Sequence, residues 1–292
     1  HIRKNIDAID SGIVNLLKRR IGCAREIGRL KDENNRAKWD PLRERQIYER
    51  LLKENDSTFP EDSLRTIFHE IITACRLSQR NIEVAYLGPE ATFTHIAAVK
   101  YFGRSMAFKP QESIRDVFSA VEKGAFHYGV VPVENSTGGA VGTTLDLLLE
   151  TPLKVCGEVD LRVHQFLLRK PGATARVVKV YSHAQSLAQC HEWLNLHLPG
   201  VERIPVVSNA KAAKLAAEDE NAAAIAGEAA AEVYGLEKVA ENIEDEPNNT
   251  TRFLVIASHD AAPSGKDKTT LVLSAKNMTR AVYELVGPIA RH

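Results

Sequence analysis

Positively charged side chains recur along the first part of the 292-residue chain at spacings that suit the binding of a small anion. Arg20 and Lys31 are close to three helical turns apart, so they share one face of a helix, with Cα atoms about 16 Å apart. Two long side chains at that distance can converge on one ligand, and an Arg fork holds a carboxylate through two hydrogen bonds. Cys75 and Gln79 form an i, i+4 pair on a later helix. The alternative interpretation is that these are solvated charges on amphipathic helices.

Arg3 lies too far from Arg20 to serve the same ligand. The separation is about 25 Å along a rigid helix, which no arginine side chain spans. If Arg3 serves a site of this kind, the site belongs to another copy of the chain.

A second group of candidate residues is mostly neutral and follows strand-like segments. The stretch from Val130 to Leu149 begins as an apolar run, turns small and polar over 134–139, and ends as a helix. Backbone N–H groups at such a switch can hold an anion. Similar loops occur at 88–95 and 182–185, and ligands in open α/β sheets bind at these carboxyl ends. The alternative is that each loop is only a connection.

The elements that must position these residues fall into two kinds. Helical periodicity predicts one long helix over 2–31, a second opened by Asp40-Pro41, and a third that starts at Pro60. About eighty residues of helix are marginal for an independent core, so two copies are expected to associate. From Glu83 onward, short strands alternate with helices, which is typical of α/β domains. Extended crossings near 155–163 and 242–249 predict two lobes joined by hinge strands.

Composition excludes several classes of protein. Lys plus Arg and Asp plus Glu both number 38, so no strong field favours nucleic acid or a membrane surface. No run of about 18 apolar residues could span a bilayer. The four cysteines are scattered without metal-ligand spacing, which indicates reduced thiols in the cytoplasm. Nothing in the sequence implies a metal or an organic cofactor.

The first eighty residues resemble the all-helical chorismate mutase family. The resemblance is carried by short motifs, namely Ile2-Arg3-Lys4, Ile9-Asp10, Leu16-Leu17-Lys18-Arg19-Arg20, Glu26-Ile27-Gly28-Arg29-Leu30-Lys31, Asp40-Pro41-Leu42-Arg43-Glu44-Arg45 and Cys75-Arg76-Leu77-Ser78-Gln79. In that family two chains intertwine and each first helix lends an arginine to the partner's pocket. The resemblance therefore implies a homodimer, in agreement with the distance argument for Arg3.

This resemblance also implies roles for individual residues. Arg3 and Arg20 match the carboxylate-binding arginines, and Lys31 and Gln79 match the donors to the ether oxygen. The remaining matches are to hydroxyl and carboxylate contacts at Asp40, Arg43 and Glu44, with Cys75 at a position that is often Ser. Lys31, Gln79 and Glu44 are the expected catalytic residues. Fixed cations and donors suit a rearrangement that needs no nucleophile, because they hold the reactive shape and stabilise charge on the ether oxygen.

Residues 83–258 resemble prephenate dehydratase. Five motifs occur in the order of that family: Gly88-Pro89-Glu90-Ala91-Thr92-Phe93-Thr94-His95, Val131-Pro132-Val133-Glu134-Asn135-Ser136, Ser182-His183-Ala184-Gln185, Ala226-Gly227-Glu228 and Thr251-Arg252-Phe253. The resemblance implies that Thr251 is the central catalytic residue and that Arg252 is a candidate for carboxylate binding. The expected prephenate-binding residues are Asn135, Ser136, Thr137, Ser182, His183, Gln185, Gln189, Thr251, Arg252 and Phe253.

The proton donor of the dehydratase step stays open at this level. Prephenate loses carbon dioxide and its hydroxyl group, and the leaving hydroxyl needs a proton or a strong donor. Thr251 is a poor acid and would act as an oriented donor, whereas Glu134 is the alternative acid. Hydroxyls and amides suit the departing carboxylate better than a tight Arg clamp.

The last segment, 261–292, resembles a linker and the first strand and helix of an ACT-type regulatory domain, with a strand expected over 269–274 and a helix over 281–290. It departs from that family at Thr279-Arg280, where a Pro-Gly is usual, and it ends before the rest of the domain. We therefore expect this 292-residue chain to lack feedback inhibition by phenylalanine.

Together these patterns predict a multidomain protein. Its parts are an all-α chorismate mutase domain over 1–82, a two-lobed α/β prephenate dehydratase domain of periplasmic-binding-protein-like architecture over 83–260, and a truncated regulatory segment over 261–292. The expected function is a bifunctional enzyme of phenylalanine biosynthesis acting on chorismate and prephenate. The alternative is a two-lobed solute-binding protein for a small dicarboxylate.

Overall fold

A computed structural model describes residues 1–33, 41–79, 82–261, 263, 265, 267–271 and 280–291. Its first part is helical, with α1 at Ile2–Glu33, α2 at Pro41–Glu54 and α3 at Glu61–Leu77. The single long first helix is thus confirmed. Asp40 lies outside the described residues, as do the side chains of Lys31 and Pro41.

The helical part leaves apolar surface uncovered in one chain. α1 packs on α3 near Ala24 and Gly28, which are buried. Toward its N-terminus, however, Ile2, Ile9 and Leu16 are 77%, 62% and 61% exposed. These residues recur at helical spacing, so they form an apolar stripe with no covering element among the described residues.

Strands and helices alternate from residue 83, as the pattern predicted. The elements up to the first crossing are β1 Glu83–Leu87, α4 Phe93–Phe102, β2 Ala107–Gln111, α5 Ile114–Glu122, β3 Tyr128–Asn135, β4 Gly139–Ala140, α6 Gly142–Glu150 and β5 Lys154–Arg162. After it come β6 Phe166–Arg169, β7 Lys179–His183, α7 Ala184–Gln189, α8 His191–His197, β8 Glu202–Val206, α9 Asn209–Glu218, β9 Ala222–Ala226, α10 Glu228–Tyr234, β10 Glu237–Ala240, β11 Thr250–Ala257 and α11 Ala281–Arg291.

The strands form two sheets, one for each lobe. The first has the order β2-β1-β3-β11-β5, with β4 paired to β3, and the second has the order β10-β6-β9-β7-β8. β1 runs parallel to β2 and β3, whereas β11 runs antiparallel to both β3 and β5. The chain crosses between the sheets at 163–165 and 241–249. The first crossing was predicted near 155–163 and lies at the end of that range, because residues 154–162 form β5.

β11 contributes side chains to both hydrophobic cores of the first lobe. Phe253 and Val255 pack with Tyr86 and Phe102 on one side, and Leu254 and Ile256 pack on the other side. This alternation is the period of two expected for a strand covered on both faces. In the second lobe, Ala222–Ala226 is fully buried next to the Ala-rich α9, and the small side chains allow strand and helix to approach closely.

The helical part contacts the first lobe directly. Thr73 donates a hydrogen bond to the carbonyl of Phe102 at 2.9 Å, and the backbone N–H of Arg104 donates to Glu70 at 3.1 Å. α11 confirms the helix predicted near the C-terminus. Of the strand predicted over 269–274, residues 269–271 are described and lie in no strand, and the rest lie outside the described residues.

Candidate active sites

A cleft of about 460 Å³ lies between the two sheets. Its walls come from the loop before α4, the end of β3, the starts of α7 and α9, and β11. Among the described residues that line it, none is Arg or Lys, and Glu112 is the only carboxylate. Within the described part of the chain, no group of His, Cys, Asp and Glu is placed to hold a metal ion, and no helix is both long and apolar enough to cross a bilayer.

Asn135 and Thr251 meet at the floor of this cleft. They are register partners on β3 and β11, and Asn135 Nδ2 donates to Thr251 Oγ1 at 2.8 Å. The amide of Asn135 has a fixed orientation because its Oδ1 accepts from the N–H groups of Thr137 and Gly138 at 3.1 Å and 2.7 Å. Thr251 Oγ1 therefore accepts from Asn135, and none of the described residues accepts its proton. The hydroxyl proton of Thr251 is therefore available to a ligand in the cleft.

A bulge in β3 decides which side chains face the cleft. Between Arg252 and Phe253 the register shifts, so that Arg252 pairs with Glu134 but Phe253 pairs with Pro132. Pro132 thereby faces the cleft together with Asn135. Glu134, adjacent to Asn135 in the strand, is exposed and does not line the cleft.

Arg252 is placed outside the cleft, although the sequence put it forward for carboxylate binding. It lies on the opposite face of β11 from Thr251, where its guanidinium bonds Glu158 at 2.6 Å and 2.8 Å. Lys268 contacts the same carboxylate. Burial raises the pKa of Glu158, but hydrogen bonds from Lys268 and Arg252 outweigh it, so that the pKa lies below its usual value. Alternation along the strand explains this placement, because neighbouring residues point to opposite faces.

The 182–185 loop contributes His183 and Gln185 to the cleft, and Gln189 follows one turn later. Ser182 is fully buried behind it, where its hydroxyl donates to the carbonyl of Ile225 at 2.7 Å. Ser182 is thus close to the site without lining it.

Two other predicted residues have different positions. Ser136 pairs with the backbone of Thr250, whose N–H donates to its hydroxyl at 2.9 Å, and it does not line the cleft. Thr137 lines an adjoining pocket that shares Gln185 and Gln189 with the cleft.

Six polar residues of the cleft, all outside the recognised loops, were missed by the sequence interpretation. They are Glu112, Gln165, Ser186, Ser208, Asn209 and Asn249. A signal existed for two of them, because Asn249 stands two residues before Thr251 on the same strand face and Asn209 opens a helix after β8, as in the recognised loops. For Gln165, inside an apolar stretch, no signal distinguished it from a structural amide.

His95 packs beneath the 88–95 loop, which forms one wall of the cleft. It stacks on Tyr86 with ring centroids 4.9 Å apart, and its Nδ1 accepts from the N–H of Ala91 at 3.3 Å. Burial lowers the pKa of the His95 imidazole, although Glu90 acts in the opposite direction. Burial also raises the pKa of Tyr86 to about 12. Both rings are therefore neutral supports near pH 7.

The helical part brings three of its predicted residues to one place. Arg20 Nη1 lies 2.7 Å from Cys75 Sγ and 3.5 Å from the carbonyl of Ile71, so the guanidinium rests on α3. Gln79 follows Cys75 by one turn and packs on Gly28, where an added Cβ would come within 2.8 Å of Gln79 Cγ. Gln79 Oε1 is buried and has no partner among the described residues. A neutral amide is therefore held beside α1 one turn before Lys31.

Three other predicted residues of the helical part, Glu44, Arg43 and Arg3, lie within the described part of the chain. Glu44 pairs with the buried Arg76 at 3.5 Å, while Arg43 and Arg3 are exposed. Burial, and secondarily Glu44, raises the pKa of Tyr48, with Arg76, Arg65 and Arg20 acting against the rise. Tyr48 thus lies within electrostatic range of Glu44 and of these three arginines. For Lys31 and Asp40 the side chains lie outside the described set.

Comparison with known proteins matches both parts of the chain. The family model for chorismate mutase type II matches residues 2–80, and that for prephenate dehydratase matches residues 84–261. Over 98% of the chain and 80% of the relative, it is 49% identical to a bifunctional chorismate mutase/prephenate dehydratase of Neisseria gonorrhoeae, and 45% identical to that of Stutzerimonas stutzeri. A crystal structure of prephenate dehydratase from Arthrobacter aurescens in complex with L-Phe aligns over 72% of each chain, with 27% identity and a TM-score of 0.64.

Proposed function

The chain belongs to the family of bifunctional chorismate mutase/prephenate dehydratases, and on that premise we propose how its residues carry the two reactions. The chain is an enzyme of phenylalanine biosynthesis: it rearranges chorismate to prephenate and converts prephenate to phenylpyruvate. The comparisons give no support to the solute-binding alternative.

For the dehydratase step, Thr251 is the donor to the leaving hydroxyl. The observation that carries this assignment is the hydrogen bond from Asn135 Nδ2 to Thr251 Oγ1 at 2.8 Å, which directs the threonine proton away from Asn135. As the ring carboxylate leaves as carbon dioxide, the electron pair of its bond to the ring moves into the ring and the C–O bond to the hydroxyl breaks. A donor aimed at the developing hydroxide stabilises this charge.

The two carboxylates of prephenate are held by neutral groups. α4 and α9 begin at the cleft, where Thr92 and Ser208 are their N-caps, and the small-polar loop before α6 lies beside them. Backbone N–H groups at helix starts favour anions. Such groups bind the ring carboxylate without an ion pair that would oppose its departure. The remaining binding residues of this proposal are Asn135, His183, Gln185, Gln189, Asn249 and Phe253.

For the mutase step, Arg20 binds a carboxylate of chorismate, and Lys31 and Gln79 donate to the ether oxygen. The position of Arg20 against Cys75 and the close packing of Gln79 on Gly28 support this set. Asp40, Arg43 and Glu44 complete the pocket by resemblance. In the single chain Glu44 pairs with Arg76, so this pocket is complete only after α2 adjusts around the substrate.

The active form is a homodimer in which Arg3 enters the partner's mutase pocket. The apolar stripe of α1 supports this, because Ile2, Ile9 and Leu16 are more than half exposed in one chain. Covering them with a second copy also removes the size problem of an eighty-residue helical unit.

We place the enzyme in the cytoplasm. All four cysteines are unpaired, and two of them, Cys75 and Cys190, are buried as thiols. Free buried thiols suit a reducing compartment.

The experiment that tests the function supplies the full chain with chorismate and follows prephenate and phenylpyruvate over time. We expect prephenate to appear first and phenylpyruvate to follow. Lys31→Ala should abolish chorismate turnover while added prephenate is still converted. If the wild-type chain produces no phenylpyruvate from prephenate, the dehydratase assignment fails, and if Lys31→Ala turns over chorismate normally, the mutase assignment fails.

A further inference from the structure

Gln165 is a buried polar residue of the cleft that has no role in the dehydratase step as proposed so far. It stands where the chain crosses from the first sheet to the second, lines the cleft, and is 1% exposed. Its backbone is held at both ends, because its N–H donates to Glu244 at 2.9 Å and its carbonyl accepts from the N–H of Ile243 at 3.0 Å. Gln165 therefore has a fixed position in the wall of the cleft.

The side-chain amide of Gln165 also has a fixed orientation. Its Nε2 donates to Ser186 Oγ at 3.1 Å and to Gln189 Oε1 at 3.3 Å. Ser186 Oγ accepts a second hydrogen bond, from Asn209 Nδ2 at 2.9 Å. The orientation of Asn209 follows from the backbone, since its Oδ1 accepts from the N–H of His183 at 3.0 Å.

In this network the nitrogen of the Gln165 amide donates hydrogen bonds, but the amide oxygen accepts none. Gln165 Oε1 is buried, and no donor among the described residues reaches it. An unpartnered buried acceptor costs stability, so its presence in the wall of a substrate cleft indicates that a ligand supplies the missing donor.

Prephenate has one group that fits. At neutral pH its two carboxylates and its keto oxygen are acceptors, and the ring hydroxyl is its only hydrogen-bond donor. We propose that Gln165 Oε1 accepts a hydrogen bond from the ring hydroxyl of prephenate, the group that leaves in the reaction. The inference rests on the dehydratase function proposed above.

This contact gives Gln165 two roles. It holds the hydrogen of the hydroxyl, so that the lone pairs of the oxygen are available to the proton of Thr251. It also distinguishes substrate from product, because phenylpyruvate has lost the hydroxyl and leaves the acceptor unpartnered. A site built around a substrate hydroxyl discriminates strongly against a ligand that lacks it.

The test compares Gln165→Met with the wild type on two ligands. Methionine keeps the length of the side chain and removes the acceptor together with the two hydrogen bonds that Nε2 donates to Ser186 and Gln189. The comparison with phenylpyruvate separates the two losses, because the loss of the Nε2 bonds affects both ligands. We expect kcat/KM for prephenate to fall about 10- to 100-fold, the range for a lost hydrogen bond in a buried site. The inhibition constant of phenylpyruvate should stay within about twofold, because the product makes no contact with the removed oxygen. Gln46→Met, an exposed glutamine on α2, is the matched control and should leave both constants unchanged.

Two results would overturn the proposal: an equal weakening of prephenate and phenylpyruvate, which means a structural role, or an unchanged kcat/KM for prephenate. Urea unfolding of the same variant, followed by circular dichroism, reports whether the dehydratase part is folded, and chorismate turnover reports the mutase part. If Gln165→Met is unfolded, Ser186→Ala replaces it, because this change frees the amide of Gln165 and should weaken prephenate alone to a smaller extent. Failure of the wild type to convert prephenate would instead refute the proposed function.

Discussion

Asn135 Nδ2 lies 2.8 Å from Thr251 Oγ1, and the same nitrogen lies 2.8 Å from Asn249 Oδ1. One amide, oriented by two backbone N–H groups, thus fixes two further side chains on the floor of the cleft. Both partners accept from Asn135, so the hydroxyl of Thr251 and the amide nitrogen of Asn249 face away from it. Among the described residues, that nitrogen of Asn249 has no partner.

Asn135→Asp tests this directional argument. A carboxylate can still accept from the N–H groups of Thr137 and Gly138, but its second oxygen accepts the proton of Thr251 instead of donating to its oxygen. We expect prephenate turnover to fall by about 10²-fold or more, the loss typical of one removed transition-state donor. The measurement is kcat for prephenate, with chorismate turnover as the internal control. Near wild-type kcat in Asn135→Asp would mean that the direction of the Thr251 proton does not matter.

Glu134→Gln separates the two candidate proton donors. Glu134 is exposed and lies on the face of β3 opposite to Asn135. Loss of a general acid costs about 10²- to 10⁴-fold, whereas we expect Glu134→Gln to keep most of its prephenate turnover. Glu112→Gln belongs in the same comparison because Glu112 is the carboxylate that lines the cleft. A large fall in kcat for Glu134→Gln would transfer the acid role to Glu134.

Ile9→Asp tests the dimer. A charge in the middle of the exposed apolar stripe of α1 should prevent association of two copies, and light scattering should then give the mass of one chain. Chorismate turnover should collapse because Arg3 cannot reach the pocket of its own chain, while prephenate turnover persists. Ser11→Asp, on the other side of the same helix, is the matched control and should stay dimeric. A monomeric Ile9→Asp with full mutase activity would exclude a contribution from the partner.

His95→Gln tests the electrostatics of the support behind the cleft. Burial lowers the pKa of His95 from 6.5, so the unfolded chain binds the proton more tightly than the folded chain. The free energy of unfolding should therefore decrease as the pH falls below 6.5 toward the pKa of the folded protein. Urea unfolding at about pH 8 and about pH 5.5, one on each side of the ordinary histidine pKa, should show a smaller acid-side decrease in His95→Gln than in the wild type.

The exposed His197 supplies the control for this measurement. His197→Gln should leave the acid-side decrease as it is in the wild type. An unchanged decrease in His95→Gln would show that this imidazole is solvated and titrates normally.

Most of the architecture could be predicted from the sequence because its signals are local. The periodicity of α1 and the polar loops after β3 and β7 depend only on neighbouring residues. Alternation along β11 predicts that Thr251 and Arg252 point to opposite faces, but which of them faces the cleft could not be predicted, because that depends on how β11 pairs in the assembled sheet. Thr251 and Arg252 are therefore neighbours in the motif, but their side chains lie on opposite faces of β11.

The polar network behind the cleft was beyond prediction for a related reason. Gln165, Ser186 and Asn209 come from three separated segments, and their hydrogen bonds exist only once β6, α7 and α9 are assembled. In the mutase part, the family resemblance, and not the spacing alone, implied that Arg20 shares a pocket with Cys75 and Gln79, and Arg20 lies against α3 in the structure. The resemblance gave no indication that Glu44 pairs with Arg76 in the single chain.

The most direct measurement of the central claim is kcat for prephenate in Thr251→Val and Thr251→Ser, each with chorismate turnover recorded on the same sample. Valine keeps the shape and removes the hydroxyl, whereas serine keeps the hydroxyl. We expect Thr251→Val to lose about 10²- to 10³-fold, Thr251→Ser to keep a substantial part of the rate, and the mutase reaction to be unaffected in both. Comparable prephenate turnover in Thr251→Val and the wild type would contradict the account.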